Sequence, residues 1–140
     1  MATFSKFQQF TKDLIDGVHD FDGHTFKVML TNTAPVATNT VKANLTEITA
    51  GNGYTAGGTA TTITTSTASG VAKVTGTDVV FTAAGGTIGP FRYIAVYNDT
   101  PTSPADPLIG YADYGSSITL NAGETFTVDF DATNGIFTVT

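Results

Sequence analysis

The sequence predicts an all-β fold: an antiparallel β-sandwich or jelly roll with one N-terminal α-helix. Three observations carry this reading. Apolar residues recur at three- and four-residue steps only near the N-terminus, and from His24 onward the period drops to two. Thr is abundant; its β-branched side chain favours strands, and its hydroxyl keeps an outer strand face wetted. The stretch from Phe91 to Thr140 is a series of strand-like runs, FRYIAVYNDT, LIGYADYGSSITL and GETFTVDFDATNGIFTVT, cut by turn signals. At 140 residues and 41% hydrophobic, the chain suits one domain that buries a core without staples.

The elements follow in order. Phe4, Phe7, Phe10, Leu14, Ile15 and Val18 stripe one face of a helix over about residues 3–18, with Thr3 or Ser5 as its cap and Gly17 or Gly23 as its stop. The stripe packs on a sheet, and Phe4 and Phe7 are also candidates for a subunit interface. In HTFKVMLTN, Phe26, Val28 and Leu30 alternate with Thr25, Lys27 and Met29, a strand pattern. Thr31 to Thr59 then reads as an extended arm or long surface loop, broken by GNGY and AGG, with a turn around Leu45 to Ile48. Its apolar residues Val36, Val41, Leu45, Ile48 and Tyr54 are interface candidates, and Tyr54, between glycines, is expected to be exposed.

Thr61 to Thr67 reads as a polar edge strand. Val71 to Thr75 and Asp78 to Ala83 read as a pair turning at Gly76 and Thr77. Phe91 to Asn98 is apolar on both faces, with Phe91, Tyr93, Ala95 and Tyr97 on one and Ile94 and Val96 on the other, as a central strand requires. NDTPTSPADP, with three Pro and two Asp, is a loop. Leu108 to Tyr114 and Ser117 to Leu120 read as two strands, and NAGE as a turn. Phe126, Val128 and Phe130 face inward on the next strand. ATNG is a hairpin-type turn before Ile136 to Thr140.

Little in the chain carries reactive chemistry. It has no Cys, two His and one Arg, so disulfides, Cys-ligated metals and thiol catalysis are excluded. Six scattered basic residues against twelve acids, net charge -6, give no phosphate-binding patch; no nucleic-acid partner is expected. The opening segment MATFSKFQQFTKDLIDG has charges and no long apolar run, so it reads as neither a secretory signal nor a membrane span, and no membrane partner is expected.

The best metal candidates are Asp129 and Asp131, on one face of a strand, with Asp113 as a third on a nearby strand. Plain polar positions on an amphipathic strand explain them more simply. Glu47 and Glu124, the two glutamates, show no pairing of the kind a glycosidase needs. GYADYGSS lacks nucleophile-elbow spacing, and His19 and His24 lack the spacing of a helical ligand pair. No cofactor and no catalytic activity are expected. Tyr54 is the one aromatic with a claim to stack on a sugar.

Taken together, FSKFQQF, FKVMLTNTAPVATNTV, TEITAGNGYTAGG, GPFRYIAVYNDT, LIGYADYGSSITL and GETFTVDFDATNGIFTV resemble a family of small virion proteins of tailed bacteriophages, over nearly the whole chain. The resemblance implies a structural role, with capsid decoration (cement) foremost and a glycan-binding tail or fibre component as the alternative. It implies the major capsid protein and further copies of the chain, as a homotrimer, as partners. It places the protein on the capsid surface after synthesis in the host cytoplasm, and it supplies no catalytic residue.

Overall fold

Ten strands and one α-helix account for the regular structure of residues 3–140, the residues that the computed structural model describes. In chain order they are β1 (Phe4–Lys6), α1 (Gln8–Ile15), β2 (Phe26–Thr31), β3 (Thr59–Thr61), β4 (Ile63–Ala68), β5 (Val71–Gly76), β6 (Val79–Thr82), β7 (Ile88–Asn98), β8 (Leu108–Leu120), β9 (Thr125–Val128) and β10 (Phe137–Val139). The strand pairings among the described residues are antiparallel. A five-stranded sheet runs β1-β8-β7-β2-β3, a three-stranded sheet runs β10-β5-β4, and β6 pairs with β9. The protein is therefore an antiparallel β-sandwich with a single helix, as its period-two patterning requires.

Two apolar clusters lie on the two faces of the large sheet. The inner one joins Phe26, Val28 and Leu30 of β2, Phe91, Ile94 and Val96 of β7, and Ile109 and Ala112 of β8. They meet Val79 and Phe81 of β6, Val128 of β9, Phe130 and Phe10 of α1. The outer one is smaller: Phe7, Met29, Ala95, Tyr97 and Leu108, with Leu45 and Tyr111 packed against it. The two-faced burial of β7 thus comes from a second cover, supplied by the segment 32–58. That segment holds one short 3-10 turn at Lys42–Asn44.

Several sequence expectations need correction. The helix is Gln8–Ile15, not 3–18. Phe4 lies in β1, opposite Ala112 of β8, and Phe7 is the residue at the helix N-cap. Neither Thr3 nor Ser5 caps the helix, whereas Gly17 does end it, at φ 72 with its N–H on Leu14 O. β5 does not pair with β6: it lies between β4 and β10, while β6 pairs with β9. β8 is one strand of 13 residues rather than two. The turn after Phe130 is present, yet the strands it joins, β9 and β10, belong to different sheets. Phe91 joins Ile94 and Val96 in the inner cluster, because the β7–β8 register slips between Phe91↔Ile118 and Tyr93↔Asp113 and breaks the alternation.

Candidate functional site

Residues 32–58 form the longest stretch without α-helix or strand among the described residues, and they are tied down from within. The Glu47 carboxylate is the hub. One oxygen accepts the Tyr54 hydroxyl at 2.7 Å and the Gly57 N–H at 2.5 Å, and the other accepts Lys42 Nζ at 3.2 Å. Tyr54 Oη in turn accepts the Leu30 N–H of β2 at 3.1 Å. Tyr97, in the centre of β7, donates its hydroxyl to Gly57 O at 2.6 Å, and Lys42 lies over its ring at 5.6 Å. Burial pushes both phenols well above their ordinary pKa, so they stay neutral donors.

Backbone bonds extend the anchoring. Gln8 N–H reaches Ala37 O, Lys42 N–H reaches Asp106 O, Leu108 N–H reaches Thr40 O and Ile48 N–H reaches Leu30 O. Thr31 donates its hydroxyl to Thr46 O. Gly58, at φ 81, sits so close to Val28 O that a Cβ there would meet it at 1.8 Å. The segment is therefore a cover bonded to the sheet, not a free arm.

This geometry sorts the interface candidates. Tyr54 and Phe7 are buried in the two clusters, so neither faces a partner; the expectation that Tyr54 is exposed is overturned. Its flanking glycines do not lift it outward. They let the backbone approach Thr82 O and Val28 O. Phe4 is half-buried against the inner cluster. Val41 bridges Pro107, and Leu45 and Ile48 are half-buried under the cover. Val36 alone of the set is openly presented, at 57% exposure. Ile15, expected on the packed stripe of the helix, is instead 82% exposed, and Val80 and Val139 are further large exposed apolar side chains. Their positions at a helix end or on short strands carried no signal of exposure.

The carboxylates are engaged elsewhere. Asp131 accepts Thr133 N–H at 2.8 Å, Asn134 N–H at 2.9 Å and Asn134 Nδ2 at 2.7 Å, which closes a turn and holds its pKa below the usual carboxylate range. Asp113 takes a two-pronged bond from Arg92, Nε at 2.7 Å and Nη2 at 3.0 Å, which lowers its pKa too. Asp129 is exposed. Among the described residues no three His, Asp or Glu side chains gather as a metal-binding group, and no helix is long and apolar enough to cross a membrane.

The two histidines meet at a site that their spacing did not reveal. Asn98, fully buried at the end of β7, accepts the Thr100 N–H on Oδ1. That orientation leaves its Nδ2 as a donor to His19 Nδ1 at 3.1 Å and His24 Nδ1 at 2.9 Å. The two rings thus present their Nδ1 atoms to one amide. Burial among Phe10, Phe21 and Phe26 lowers the His19 pKa to about 4, against the opposing pull of Asp13. A folded-state value below the ordinary 6.5 means that His19 contributes stability fully above about pH 6.5 and loses it as pH falls towards 4. The loss is at most about 3 kcal/mol, and less for a ring that keeps some solvent contact. His19→Gln should flatten that part of the stability–pH curve, measured by urea unfolding between pH 7 and 4. Equal pH dependence in both proteins would contradict the role of His19.

A groove of about 460 Å³ lies between α1 and β1 on one side and β10 on the other, walled by Phe4, Phe10, Leu14, Ile136, Phe137 and Val139. A shallower one of about 210 Å³ lies beside Glu47, between Asn32, Thr49 and Pro90. Neither holds a nucleophile–base pair. Compared with protein-family models, characterised proteins and solved structures, the chain shows no match.

Proposed function

We propose that the protein is a non-catalytic structural component of a bacteriophage virion, one that decorates the capsid surface, binds the major capsid protein and stabilises the shell. The resemblance of the sequence blocks motivates the reading, and the pinned cover over residues 32–58 is the observation that supports it best. A cement protein has to offer a broad, pre-ordered face, because ordering a loose arm at the moment of binding weakens the contact. Here the ordering is built into the fold through Glu47, Tyr54 and Tyr97. The formal charges of the cover, Lys42 and Glu47, pair with each other. Contact through this face therefore rests on backbone groups and small apolar side chains such as Val36, and it should persist at high salt.

The test is addition of the purified protein to particles that lack it. Co-sedimentation that survives molar salt, with a higher temperature of DNA release, is the expected result, since a ligand of the intact shell stabilises it by mass action. Val36→Asp should weaken binding without unfolding the protein. Deleting 36–58 is not a clean test, because it would strip the outer cluster. Absence of co-sedimentation at saturating protein would refute decoration. The resemblance implies self-association as a trimer.

A further inference from the structure

Among the described residues, β4 is the longest strand at the end of a sheet. It ends the three-stranded sheet and pairs on one side only, with β5. Its six residues, ITTSTA, include no charge, no Pro and no Gly, and all but Ile63 are exposed. The other sheet-end strands are shorter: β1, β3 and β10 have three residues each, β6 and β9 have four, and β1 carries Lys6. Proteins usually guard a long flat edge with charges, proline or a bulge, because its unpaired N–H and C=O groups template another strand. This strand has no charge, proline or bulge of its own, and Asp22 reaches it through the Thr65 hydroxyl.

We propose that β4 pairs antiparallel with β4 of a second copy across a two-fold axis, joining two three-stranded sheets into one. The chemistry of the edge selects the occupant. Identical uncharged strands face each other with Thr, Ser and Ala on both sides, so no like charges oppose and cross-strand hydroxyl pairs form. The neighbouring charges select the register. A two-fold axis normal to the sheet passes through a residue, because opposed side chains share a face. An axis through Thr65 would bring together the two copies of Asp22, whose carboxylate accepts the Thr65 hydroxyl at 2.7 Å. An axis through Ser66 separates them, opposing Ser66 to itself, Thr65 to Thr67 and Thr64 to Ala68. Lys73, across from Ser66 on β5, lies a strand further from the axis in each copy.

The contact sets a two-fold dimer in place of the trimer that the resemblance implies, and it is read on the free protein, so it stands or falls apart from the capsid reading. The chain has no Cys, so single introduced thiols report cleanly. Ser66→Cys should oxidise to a covalent dimer, while Thr127→Cys, on an exposed position of β9, should not. The wild type should sediment as a dimer at micromolar concentration. Thr65→Lys with Thr67→Lys, which sets lysines opposite each other, should halve the mass and leave the circular dichroism unchanged. A wild type that stays monomeric, a mass three times the monomer's, or equal cross-linking from the two thiols would overturn the proposal.

Discussion

Phe130→Ala is expected to destabilise the protein by about 3–5 kcal/mol, the cost of deleting a fully buried aromatic side chain and leaving its cavity. Phe130 is 2% exposed and belongs to the inner cluster, and a Cβ on Gly76 of β5 would lie 3.4 Å from its ring. It therefore fills the junction between the small sheet and the end of β9, where a void has no neighbour free to collapse into it. Phe126→Ala, four residues earlier, should cost about 1–2 kcal/mol. Its ring is half-buried and loses edge-on contacts with Phe91 and Tyr114, each at 4.9 Å. Urea unfolding at pH 7 should show the larger midpoint shift for Phe130→Ala with unchanged slope. Equal shifts would mean that the end of β9 is not sealed as described.

Glu47→Ala should cost about 2–4 kcal/mol, because it strands three donors at once: the buried Tyr54 hydroxyl, the Gly57 N–H and the Lys42 ammonium. Glu47→Gln keeps an acceptor and should cost clearly less. The damage should be local first. Amides of residues 32–58 should exchange faster with solvent in Glu47→Ala, while those of β2, β7 and β8 keep most of their protection. Unchanged exchange across the cover would show that the hub is not what holds it.

The strands were legible where period and composition agreed. β2 announced itself by alternation, β7 by apolar residues on both faces, and β4 by its threonines. Pairing was less legible, because it is non-local. Val71–Thr75 and Asp78–Ala83 are neighbours in sequence, yet each finds a partner from the far end of the chain. Phe4, Phe7 and Phe10 are spaced for a helix, but β8 captures Phe4 as a strand partner before the helix begins. Tyr54 was misread because glycine signals two things, a loose loop or a close backbone approach, and here it signals the second. Glu47 looked idle. The signal available was a lone Glu–Lys pair in an otherwise uncharged stretch, and only the folded loop shows that its partners converge. His19 and His24 lacked ligand spacing, and what joins them is Asn98, distant in sequence.

The central claim is the position of the protein on the virion. Cryo-electron microscopy of purified particles tests it directly. The account predicts density for this fold on the outside of the head, with the face formed by residues 32–58 against the major capsid protein. Density confined to the tail or fibres, with none on the head, would contradict it and favour a tail component.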